Sequence, residues 1–127
     1  MMTTRTTGLL AAALAAWALP ALAHHSFAIY DMAQNIEFEG VVETLKMRNP
    51  HIAMTLSVTN ADGTKSTVSF VEGAPANMIV RQGLNPADIA VGKPLRAIGA
   101  PLREDPSSYF LKAVILPDGR RFAFVGD

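Results

Sequence analysis

Residues 36–47, Ile-Glu-Phe-Glu-Gly-Val-Val-Glu-Thr-Leu-Lys-Met, decide the fold. Ile36, Phe38 and Val42 alternate with Glu37, Glu39 and Glu43. That is the period of a strand with one face in a core and the other in water. Beyond Gly40 the apolar parity changes, because Leu45 and Met47 fall on the opposite set. A glycine in a long strand followed by a parity switch predicts a bulge or sharp coil there. Asn49-Pro50 ends the strand.

Working outward, Ile52, Met54, Leu56 and Val58 point one way and Ala53, Thr55, Ser57 and Thr59 the other, a second strand. Asn60-Ala61-Asp62-Gly63 is a hairpin turn signal, and 64–71 reads as the third strand. Between Ala74 and Leu84 the period changes to that of a short helix, with Pro75 near its first turn and Gly83 as its stop. Gly92-Lys93-Pro94 leads into strand four at 95–102, and Tyr109 to Leu116 is strand five. Pro117-Asp118-Gly119 turns into a last strand over 120–125. The expected class is all-β with one short helix: a small OB-fold-like β-barrel in the order β-β-β-α-β-β, with a further β at the end. A β-sandwich is the rival, but it needs about seven strands.

Upstream of the strands lies a three-part export signal. Arg5 is the only charge before Asp31, Gly8 to Leu19 is an apolar run, Pro20 breaks it, and Ala21-Leu22-Ala23 supplies the small residues of a cleavage site. The apolar run is shorter than the ~20 residues that span a bilayer. The expectation is a signal peptide over 1–23 cleaved after Ala23, an N-terminal arm over 24–35, and a barrel domain over 36–127. The functional location is then the periplasm. The 127-residue chain contains no cysteine, so disulfides and thiolate metal sites are excluded. Removing Arg5 takes one from the 11 basic residues against 11 acidic, a net charge of −1. That balance gives no electrostatic footprint for nucleic acid and no polybasic membrane segment. No second apolar run reaches membrane-spanning length.

Several landmarks together resemble a known family. His24-His25-Ser26-Phe27-Ala28 follows the signal, a Gly-Val-Val segment at 40–42 precedes Asn49-Pro50-His51, and Asp62-Gly63, Gly92-Lys93-Pro94 and Asp118-Gly119-Arg120 come after in order. The chain resembles a family of small exported bacterial proteins of unknown function. The resemblance implies export and a compact β domain, and it implies no activity. Members commonly carry aromatic residues on either side of Asn-Pro-His. This chain has Met47-Arg48 before it and Ala53-Met54 after it.

All three histidines lie in those motifs: His24 and His25 at the processed terminus, and His51 after Pro50. Cleavage after Ala23 would create a free α-amino group on His24. Amine and imidazole can chelate one metal ion, and His51 or His25 can complete the set. Nitrogen ligands of this kind suit copper as Cu(II), with zinc as the alternative. Met47 and Met54 flank His51, and their thioethers would add affinity for Cu(I). Set against this, terminal histidines are often merely solvated, His51 can be structural with a ring nitrogen hydrogen-bonded to backbone at the corner of strands one and two, and methionines are usually core fillers. Glu37, Glu39 and Glu43 read as a solvated face, and Arg120 and Arg121 as an ordinary hairpin end. No nucleophile elbow, phosphate loop or HExxH occurs. The expected function is therefore a non-enzymatic binder of a metal ion or small ligand. A periplasmic protein–protein interaction module is the alternative, and a nucleic-acid-binding OB domain is a disfavoured third.

Overall fold

The computed structural model describes residues 27–125. The expected signal peptide over 1–23, and His24 and His25, lie outside the described residues. Six strands are interrupted by one helix: β1 (Ile36–Lys46), β2 (Ala53–Thr59), β3 (Lys65–Glu72), α1 (Ala76–Arg81), β4 (Pro94–Pro101), β5 (Ser108–Ile115) and β6 (Arg121–Ala123). Neighbouring strands run β3-β2-β1-β4-β5-β6 and are antiparallel, and β3 also pairs with β5 in parallel. That extra pairing closes five strands into a barrel and leaves β6 as an added strand on β5. This is the predicted all-β OB-type barrel with its single short helix.

The long first strand is shared, as its length requires. Ile36–Val41 pairs with β4, and Val41–Lys46 pairs with β2. The register shift falls between Val42 and Thr44, which makes Glu43 the extra residue. The bulge therefore sits three residues beyond the glycine at which the sequence placed it. Glu43 and Thr44 are both exposed, so inward parity passes from Val42 to Leu45. Gly40 has a different task. The Ser57 carbonyl of β2 lies so close that a Cβ at position 40 would collide with it, and glycine permits that approach.

Alternation on the strands fills the barrel. Met54 and Leu56 of β2, Phe70 of β3, Leu95 and Ala97 of β4, and Leu111 and Val114 of β5 form one cluster with Val42. Burying each larger side chain contributes about 1.5–3 kcal/mol. Phe38, Phe70 and Tyr109 meet edge to face or tilted, with centroids 4.9–6.1 Å apart, a geometry that suits aromatic quadrupoles. Ile79 of α1, with Leu84 and Ile89, joins the same core. Pro75 directly precedes α1, and Gly83 donates to the Val80 carbonyl just past its end. A 3-10 turn over Pro86–Ile89 goes beyond the sequence reading. Its signal was present: Asn85 accepts from the Ala87 amide, and Pro86 occupies the first turn.

Residues 27–35 cross the open ends of β4 and β5. Tyr30 bridges Leu102, the Asp31 amide donates to the Pro101 carbonyl, and the Arg103 amide donates to that of Ile29. Phe27 and Tyr30 each meet Phe110 edge to face at 5.4 Å. Lys112, the one buried charged residue among those described, donates from Nζ to the Met32 carbonyl and to Asn35 Oδ1. No helix among the described residues is long and apolar enough to cross a membrane.

Candidate functional site

The Asn49-Pro50-His51 turn between β1 and β2 lies against the segment that joins β3 to α1. The Ile52 amide donates to the Ala74 carbonyl, and the Ala76 amide donates to the Arg48 carbonyl. Asn49 Oδ1 accepts from the Asn77 amide at 3.2 Å. It thereby serves a helix whose own N-cap position, Pro75, offers no side-chain acceptor. The Asn49–Pro50 peptide is cis. These contacts set His51 at the rim of the barrel with its ring facing Glu72 and Gly73.

His51 Nδ1 lies 2.9 Å from the Gly73 carbonyl oxygen. A carbonyl only accepts, so the proton of the neutral ring resides on Nδ1. In the neutral ring Nε2 carries the lone pair; in the doubly protonated ring it forms an ion pair with Glu72 Oε1, 3.3 Å away. The other carboxylate oxygen, Oε2, accepts from the Tyr30 hydroxyl at 2.9 Å. Burial first, then the hydrogen bond to and charge of Glu72, hold the Tyr30 phenol well above its ordinary range. It stays protonated and acts as a donor. Exposure rises outward along this chain of contacts, from Tyr30 at 3% to side-chain values of 19% at Glu72 and 44% at His51. Gly73 is required beside them, because a Cβ there would stand 2.9 Å from Ile52 Cγ1.

The family model of a family of unknown function (DUF6152) matches residues 11–109. The chain belongs to this family. The span matched in DUF6152 includes Tyr30, His51 and Glu72. No curated protein matches the chain, and no solved structure does.

Of the five residues that the sequence pointed to as metal ligands, the structure describes three. His51 is at the rim, as above. Met47 is partly buried against the barrel core, and Met54 is 1% exposed within it. His24 and His25 lie outside the described residues. Among the described residues no three His, Asp or Glu side chains gather closely enough to hold a metal ion. His51 and Glu72 are therefore two donors without a described third. Glu37, Glu39 and Glu43 are exposed; Glu37 pairs with Arg96 across β1 and β4 at 2.7 Å, and Glu43 accepts from Thr67. Arg120 is held by Asp118 and Asp88. Sequence reading missed Tyr30 and Glu72, which are 42 positions apart and meet only because β3 closes on β5 beneath the arm.

Proposed function

We propose that this member of DUF6152 is an exported, non-enzymatic metal-ion binding protein of the periplasm, in which His51 Nε2 is one ligand and the His24 amine and imidazole supply others. The observation that carries the reading is the Nδ1 contact to the Gly73 carbonyl. Metal-ligating histidines are commonly fixed in this way, with the second nitrogen held by a backbone or carboxylate acceptor so that the first presents its lone pair. A second observation bears on the partner ligands. Phe27 packs on Phe110, and Phe110 is the register partner of Glu72 across the β3–β5 seam. The three residues back to His24 can span at most about 10 Å, a reach that supports the terminus as the source of further ligands. His25, next in the chain, is the alternative imidazole. The donor set suits Cu(II) or Zn(II).

Titration calorimetry with Cu(II) and with Zn(II) tests the reading on protein that begins at His24, a terminus verified by intact mass after export. One equivalent should bind. A single residue added ahead of His24 should weaken binding at least ~10-fold, and so should His51→Ala. Equal binding by all three proteins would exclude the shared site.

A further inference from the structure

We propose that the groove on the outer face of β1, β2 and β3 is an anion site that takes the phosphate group of a small soluble ligand, with Lys46 and Arg48 as its cations. The groove has a volume of about 250 Å³, and Thr44, Lys46, Arg48, Thr55 and Ser69 line it. It needs no metal ion and no residue of the N-terminal arm, so it stands or falls apart from the metal-binding reading. Strand register places these groups side by side. Thr44 stands opposite Thr55, and Thr55 opposite Ser69, so three hydroxyl residues lie abreast across three strands. Lys46 and Arg48 follow Thr44 at steps of two, on the same outward side.

The groove gathers donors and lacks a carboxylate. The Thr44 and Thr55 hydroxyls bond each other at 2.8 Å. That pair holds two protons and the bond uses one, so one remains to be donated. The Ser69 hydroxyl and the Lys46 ammonium have no partner among the described residues. Arg48 directs Nε to the His51 carbonyl, which leaves its two terminal nitrogens unengaged by described residues. No carboxylate lines the groove among the described residues. Elsewhere on the surface such groups are answered within the chain: Arg96 by Glu37, Arg103 by Asp31, and the Ser107 and Ser108 hydroxyls by Asp105. An oxyanion supplies what the groove is missing. Arginine offers a planar fork and lysine a point charge, and a phosphate has oxygens enough to accept from both cations and from the hydroxyls beneath, where a carboxylate has two. The volume lies below the ~300–1,000 Å³ of pockets for drug-sized ligands, which favours a small phosphate over a polymer.

The test titrates inorganic phosphate into protein that begins at His24, at constant ionic strength and without added metal, and follows backbone amide resonances, with chloride as the control ion. Saturable shifts centred on Thr44, Lys46, Thr55 and Ser69 are expected. Lys46→Gln and Arg48→Gln should each weaken phosphate binding roughly 10-fold, and Ser69→Ala roughly 5-fold. Lys46 and Arg48 are exposed, so the unfolding midpoint of those two variants should stay in place. Lys65→Gln removes an equal charge from the exposed start of β3, outside the groove, and should leave binding unchanged. Equal losses from Lys65→Gln and Lys46→Gln would mean diffuse attraction of anions and would overturn the groove assignment. Shifts that fail to saturate, or that chloride reproduces, would overturn it as well. Binding to vesicles of phosphatidylglycerol without any response to inorganic phosphate would overturn the small soluble ligand in favour of a lipid headgroup.

Discussion

The larger apolar cluster draws Val42, Leu56, Phe70, Leu95 and Leu111 from all five barrel strands, whereas the smaller holds Tyr30, Ala100 and Phe110 beneath the N-terminal arm. Side-chain hydrogen bonds tie the smaller one to the arm and to the barrel around it. Tyr30 donates to Glu72, Lys112 to the Met32 carbonyl and Asn35, and Arg103 to the Ala28 carbonyl. Area removed from water dominates in the barrel, and it is non-directional. The arm has little such area and depends on a few bonds whose geometry matters. Two units with such different support should open at different free energies, the arm first. That difference bears on the candidate site, because Tyr30 of the arm donates to Glu72, which faces His51.

The largest separation of the two should come from Phe70→Ala. Phe70 is 1% exposed and touches both Phe38 and Tyr109. Truncation should cost about 3–5 kcal/mol of global stability, read as a lower midpoint in urea unfolding. Arm amides and barrel amides should lose exchange protection together, because the barrel is what the arm packs on. If the arm alone loosened, the core would not lie where the apolar alternation places it.

Lys112→Met should do the reverse at smaller scale. The substitution retains an apolar stem in a buried position and removes two charge-assisted hydrogen bonds to the arm. A loss of about 1.5–3 kcal/mol is expected, concentrated in hydrogen-exchange protection of residues 30–35 and sparing β1 to β3. An equal loss across the barrel would mean that arm and barrel form one cooperative unit, and the comparison would break.

How much of this could be read from the chain follows the same division. Period-two alternation at 36–42 and 52–58 predicted the strands and their inward faces, because each strand buries one side locally. The position of the bulge was not legible at Gly40. It depends on where β1 exchanges β4 for β2, and it fell at Glu43. His51 drew attention because Asn-Pro-His is a compact motif. Its partners did not, since Tyr30 and Glu72 meet through barrel closure. Lys112 did leave a trace, a single charge inside the apolar run Tyr109–Leu116. An unpaired charge in a strand interior calls for a partner, and the partners proved to be acceptors on the arm.

The smallest effect expected is one of pH, and it sharpens the comparison further. Asp105, in the loop from β4 to β5, accepts from the Ser107 hydroxyl and amide and from the Ser108 hydroxyl. Those side-chain bonds, and then the Ser107 amide, hold its carboxyl below the usual range. Asp31 on the arm is held low first by Gln34, and Arg103 adds to the effect. A carboxyl depressed in the folded state contributes stability above its unfolded value of about 3.9. That contribution is lost as pH falls through the lower folded value. Asp62, lowered by the Thr64 hydroxyl and amide, plays the same part in the β2–β3 turn, away from the arm. Acidification below the ordinary carboxylate range should therefore loosen both loops, but only one of them adjoins the arm. Arg103, beside Asp105, binds the Ala28 and Ile29 carbonyls. Ring resonances of Phe27 and Tyr30 should shift in step with the Asp105 titration and not with that of Asp62, and Asp105→Asn should remove the correspondence. Ring shifts that followed Asp62 instead would place the acid-sensitive joint in the barrel.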